Sequence, residues 1–197
     1  MLDIIREMVR EKDLTYPLIC FKALKLGGED KTLYLPSSPE GFEISEDFIL
    51  VLKENRLLGR TYGGGIFRDT YHSLDLRKGG RMPYATIGFE IVPGPKFRVM
   101  QIQSREKGFG RENLPSKWER AMFEAGINWA DALGIPTVEM QKGESNRQYK
   151  KVHGRETTPE EKTRLRVRYD VTAKRTAKRR KIPLEESLDS WILNLPN

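Results

Sequence analysis

The sequence predicts a single domain of the mixed α/β (α+β) class, with a mostly antiparallel sheet flanked by helices. Three observations point there. Short apolar runs bounded by Gly, Pro and Asn fill the middle of the chain. A helix-period pattern follows at 118–133. A further strand and a strongly capped helix start come after it, so strands and helices interleave in the second half. At 197 residues, 38% hydrophobic and 32% charged, the chain can bury a core of its own.

Taken in order, Leu2, Ile5, Met8 and Val9 put apolar residues on one side of a short helix over 2–12. Residues 16–24 suit a strand, stopped by Gly27-Gly28-Glu29-Asp30, and 36–41 form a loop rich in Pro and Ser. Residues 48–52 and 56–62 read as two strands, interrupted by Gly63-Gly64-Gly65. The stretch 66–83 reads as polar and irregular. Strands at 84–92 and 97–103 flank the turn Pro93-Gly94-Pro95.

Pro115 and Ser116 precede a helix whose apolar face carries Trp118, Met122, Ala125, Trp129, Ala132 and Leu133, with Gly134 where a helix C-terminal glycine belongs. A strand at 135–140 and a polar loop to about 157 follow. Thr158-Pro159-Glu160-Glu161 combines a capping hydroxyl, proline at the first position and acids in the first turn. It starts a helix to about 180, although 165–173 also alternates like a strand. Leu184, Leu188, Trp191, Ile192 and Leu195 then predict an amphipathic helix over 183–195. The organisation is one domain: a helix and strands in 1–83, a strand–loop–helix–strand–helix core in 84–180, and the terminal helix. Trp118, Trp129 and Trp191 fall on apolar helix faces as core residues.

The chain carries 35 Lys and Arg against 28 Asp and Glu, a formal charge of +7, which favours anionic partners. Cys20 is the single cysteine, so no internal disulfide forms. With one Cys and two His, His72 and His153, no metal-ligand spacing arises and no metal is expected. The N-terminal apolar residues are spaced by charges, unlike a signal peptide, and no stretch suits a membrane span, so a cytoplasmic location is expected. Residues 162–181 are dense in cations; Arg175, Lys178, Arg179, Arg180 and Lys181 are candidate phosphate contacts for a nucleic acid. A solvated face with a basic last turn explains the same run. No aromatics interleave it, so stacking of single-stranded bases is not indicated.

Most information lies in Arg105-Glu106-Lys107-Gly108-Phe109-Gly110, which follows a strand and precedes a helix. Glycines there let backbone N–H groups approach an anion, the helix start adds partial positive charge, and Arg105, Lys107 and Arg111 add more. This segment resembles the acyl-CoA pyrophosphate loop of the GNAT acetyltransferase superfamily, Gln/Arg-x-x-Gly-x-Gly/Ala between that family's fourth strand and third helix. The resemblance covers roughly 84–180. It implies an acyl-CoA acyltransferase-like fold that binds acetyl-CoA or another acyl-CoA as co-substrate through Arg105, Lys107, Gly108, Phe109, Gly110 and Arg111. It also places Asn146 where the family has a CoA-contacting asparagine, and Tyr169 where it has a tyrosine near the thioester sulfur. Residues 111–114 lengthen the approach to the helix, and the strand the family carries after its last helix is not visible here.

The implied reaction moves an acyl group to an amine acceptor. Glu90 is the candidate base, with Glu139 as an alternative, and Tyr169 is the candidate acid. Two other functions fit the residues: a non-enzymatic basic protein that binds nucleic acid through 162–181, and a catalytically inactive GNAT-like interaction module.

Overall fold

A computed structural model describes residues 32–33, 48–54, 60–62, 66–70, 72–78, 83–105, 114, 117–149, 151–152 and 155–196. The readings at 2–12, 16–24, 36–41 and 63–65, with Cys20 and His153, lie outside these residues. No helix among the described residues is long and apolar enough to cross a membrane.

The architecture is mixed α/β. The strands are β1 (Thr32–Leu33), β2 (Phe48–Glu54), β3 (Arg60–Tyr62), β4 (Ile66–Arg68), β5 (His72–Lys78), β6 (Ala85–Val92), β7 (Lys96–Ser104), β8 (Thr137–Gln141), β9 (Lys151–Val152), β10 (Arg155–Glu156), β11 (Leu184–Glu186) and β12 (Ser190–Asn194). The helices are α1 (Trp118–Ala132), α2 (Pro159–Arg166) and α3 (Thr172–Arg180), with a π-helical turn at Val167–Val171 joining the last two. The main sheet has eight strands in the order β1-β2-β5-β6-β7-β8-β12-β11. Every pair in it is antiparallel except β7 with β8, which α1 connects.

Two sequence expectations are corrected. Within 66–83, residues 66–68 and 72–78 are not irregular: they form β4 and β5. In β5, Leu74 and Leu76 point to the core while Ser73 and Asp75 point to the other face, and both sides are buried. The polar side is satisfied internally, since Asp75 accepts from Ser73 Oγ (3.1 Å), Thr86 Oγ1 (2.9 Å) and Arg77 Nη2 (3.1 Å). The second correction is at 183–195, which forms the hairpin β11–β12 and not a helix. Pairing of β12 with β8 puts Trp191 and Leu193 in the core by strand alternation and leaves Leu188 exposed near the turn. A strand's hydrogen-bonded partner here outweighs a helical spacing of five apolar residues.

The helix signals hold. Thr158 forms a capping box with Glu161, and Pro159 opens α2. Gly134 adopts φ 71° just past α1, where a side chain would be strained. Helix α1 is buried all along 121–127 because it lies between the sheet and α3. Phe97 stacks on Phe89 with centroids 4.6 Å apart and meets Trp129 edge-on at 5.8 Å. A side chain at Gly126 would reach within 3.2 Å of the Phe97 ring, so this glycine sets the helix–sheet spacing. On the opposite face, the β3–β4 hairpin is tied down by Phe67, whose N–H donates to Gln103 Oε1 (2.9 Å) and whose carbonyl accepts from Gln101 Nε2.

His72, 4% exposed and beside the Phe89 ring, has its imidazole lowered by burial from 6.5 to about 4. The fold therefore holds it neutral, whereas the unfolded chain takes up a proton below about pH 6.5. This contribution is complete above pH 6.5 and is lost as pH falls towards 4, by up to about 3 kcal/mol. Urea unfolding at pH 7 and pH 4 should show that His72→Gln flattens this acid slope; an unchanged slope would place the loss elsewhere.

Candidate functional site

The parallel strands β7 and β8 pair only from Lys96–Val99 to Thr137–Met140 and then part. The parting coincides with a β-bulge: Phe89 pairs with Val99 and Gly88 with Gln101, leaving Met100 as the extra residue in β7. Beyond it, Ile102 turns its backbone N–H and carbonyl into the gap. Its N–H donates to Tyr169 Oη (2.9 Å), and its carbonyl accepts from Arg168 Nη1 (3.3 Å). Side chains from the helix thus occupy an edge that β8 no longer covers.

Tyr169 is fully enclosed, and burial pushes its hydroxyl up to about 12 against the lowering effect of the bond from Ile102. A second donor is Asn146 Nδ2 at 3.0 Å. The Asn146 amide is oriented by its other end, since Oδ1 accepts from Gln148 N–H (2.9 Å). Both neighbours of Tyr169 Oη are donors, so the phenol's own proton is not used by either bond and remains to be given to a third group.

A pocket of about 120 Å³ lies between the start of α1 and the π turn and α3. Lys117, Arg120, Arg168 and Arg175 line it, with Glu119 and Thr172. Lys117 caps α1 in the left-handed conformation, φ 62°, without a capping bond from its own side chain. Arg168 stands 3.9 Å from Glu119 and Arg120 stands 4.0 Å from Glu124, and the remaining excess of cations at a helix N-terminus favours an anion. The volume falls below the ~300–1,000 Å³ of a site that encloses a whole drug-sized ligand, so it suits one anionic group.

Of the residues expected from sequence, Lys107, Gly108, Phe109, Gly110 and Arg111 lie outside the described residues. Arg105 turns inward: its Nε donates to the Pro83 carbonyl (2.7 Å) and its guanidinium covers the Tyr84 ring at 4.5 Å. Asn146 and Tyr169 are brought together. Glu90 is not: it pairs with Arg98, whereas the stretch beside Tyr169 is the Ile87–Ile102 pair, roughly 10 Å along the strand. Glu139 is buried; burial would raise its carboxyl, but Lys96 (2.7 Å) and Arg98 (2.8 Å) outweigh it and hold the group below its usual range. The exposed Asp69 adds a smaller upward push on the Tyr169 hydroxyl, after burial. It follows the Phe67 clamp over β7 and precedes Thr70, which packs on Gly88.

Among the candidate nucleic-acid contacts, Arg179 donates to Glu124 (3.0 Å) and Arg180 to Asn128 Oδ1 (2.6 Å), so both brace α3 against α1. Arg175 lines the pocket, and Lys178 and Lys181 face solvent. Sequence reasoning missed Lys117, Arg120 and Arg168. The seven-residue spacing of Arg168 and Arg175 was a usable signal for one helix face; their meeting with α1 was not. No family model, curated protein or solved structure matches the chain.

Proposed function

We propose that the chain is an acyl-CoA-dependent N-acyltransferase of GNAT-like fold. The observation that carries this reading is the parting of two parallel strands beside a buried, proton-donating tyrosine, with a cationic pocket at the start of the next helix. An acyl-CoA is a thioester joined through an amide-bearing arm to a pyrophosphate. Its arm suits the splay between β7 and β8, and a phosphate suits the pocket lined by Lys117, Arg120, Arg168 and Arg175. The hairpin β11–β12 supports the same reading, because it supplies a strand after the last helix where the sequence showed none.

In the reaction the amine nitrogen attacks the thioester carbonyl, and the tetrahedral intermediate collapses with loss of the thiolate. Holding the two reactants together supplies much of the rate. Tyr169 stays protonated across physiological pH and gives its proton to the leaving sulfur. A carboxylate takes the ammonium proton directly or through water, with Glu90 and the exposed Asp69 as the candidates.

Thermal unfolding with acetyl-CoA tests this. A ligand that binds only the native state stabilises it by about 2.7 kcal/mol at a hundredfold excess over Kd. For a chain of this size that is a rise of roughly 5–10 °C in Tm. Gly108→Glu should abolish the rise. No rise at millimolar acetyl-CoA would remove the reading.

A further inference from the structure

We propose that Asp170 is the positioning residue of this site, tying the loop after β8 to the helix and to the last strand and so placing Asn146 against Tyr169. The inference rests on the acyl-transfer reading for its kinetic consequence and on geometry alone for its structural one.

The π turn makes the arrangement possible. An α-helix directs neighbouring residues about 100° apart, and a π insertion changes that direction locally. Here Tyr169 reaches β7 while Asp170, next to it, reaches the opposite strand. Asp170 Oδ1 accepts the Gly143 N–H and the Trp191 indole N–H, both at 2.9 Å. Gly143 opens the 3₁₀ turn Gly143–Ser145, and Asn146 follows directly. The backbone of that turn lies against the helix itself, because a side chain at Gly143 would stand 2.8 Å from Arg166 Cα and N. Trp191 belongs to β12, which pairs with β8. One carboxylate oxygen therefore joins three segments distant in sequence. The free end of the assembly is the Asn146 amide, which occupies one acceptor position of the Tyr169 hydroxyl.

The structure explains why an acid stands here. Two N–H donors converge on one oxygen, and a carboxylate forms shorter, stronger bonds to them than a neutral acceptor. Lys142 and Lys174 both lie over the Trp191 ring, at 5.2 Å and 4.2 Å, which holds the indole in place. Lys142 also pairs with Glu186 of β11 at 2.8 Å.

The test uses the full chain with ¹³Cζ-labelled tyrosine, the Tyr169 signal being assigned with Tyr169→Phe. Asp170→Ala should move that signal, because the phenol oxygen loses the Asn146 donor; Asp170→Asn, which keeps the Oδ1 acceptor, should restore it. Asn146→Ala should move it in the same direction, and that variant decides the matter if Asp170→Ala fails to fold. An unchanged Tyr169 signal in the folded Asp170→Ala or Asn146→Ala protein would overturn the proposal. In turnover, Asp170→Ala should lower kcat on the order of 10²-fold with KM for acetyl-CoA unchanged, as expected for a misplaced group. A fall in Tm with kcat intact would also overturn it. Absence of turnover in the wild type, with the Tyr169 signal responding as stated, would count against the acyl-transfer reading and leave the positioning role standing.

Discussion

Tyr169→Phe should lower kcat for acyl transfer by about 10²–10⁴-fold, the usual contribution of a positioned proton donor. The phenol is the group that both geometry and burial mark out. It is enclosed, raised to about 12 and accepts from Ile102 and Asn146, so neither bond uses its proton. The leaving thiolate receives it in the proposed reaction. Removing the hydroxyl leaves two buried donors without an acceptor, at about 1–3 kcal/mol in stability. Thiol release at saturating acetyl-CoA separates the effects, since the stability loss is monitored independently by unfolding. A kcat within twofold of wild type in a folded Phe variant would remove Tyr169 from the chemistry.

Gly143→Ala should destabilise the fold by about 1–3 kcal/mol, the range for forcing atoms into a packed contact. The added Cβ would stand 2.8 Å from Arg166 Cα and N and 2.9 Å from Leu165 C, all helix backbone that cannot rotate away. For a chain of this length the expected fall in Tm is about 2–12 °C. The turn after β8 must move off the helix, so the Gly143 N–H to Asp170 bond weakens as well. A thermal melt unchanged within error would mean that the helix and turn separate more easily than this packing allows.

Much of the fold was legible in the chain. The 48–52, 84–92 and 97–103 runs became β2, β6 and β7, and the Thr158-Pro159 signal opened α2 through a capping box. These are local effects: a capping oxygen finds its N–H within three residues, and strand alternation repeats every two. Two segments were misread for opposite reasons. Residues 72–78 looked irregular because their outward side is polar, yet that side is buried against Thr86, so polarity did not mean exposure. Residues 183–195 carried a helical spacing, yet β8 offered an edge that only a strand could satisfy.

The candidate site divides the same way. Asn146 and Tyr169 were named from sequence through a resemblance, and the structure joins them at 3.0 Å. Glu90 was named from strand position alone, and the register sets it three residues along β6 from the Ile87–Ile102 pair. Lys117, Arg120, Arg168 and Arg175 form a pocket only because α3 packs along α1, where Arg179 and Arg180 grip Glu124 and Asn128.

The sequence by itself determined the class of the fold, the places where helices begin and end, and the residue types available for chemistry. Those depend on contacts a few residues long. The tertiary structure alone decided where neighbouring strands part, which residues meet the tyrosine hydroxyl, and which cations share a pocket. Those depend on closing loops of tens of residues, where burial and strand pairing outweigh local preference.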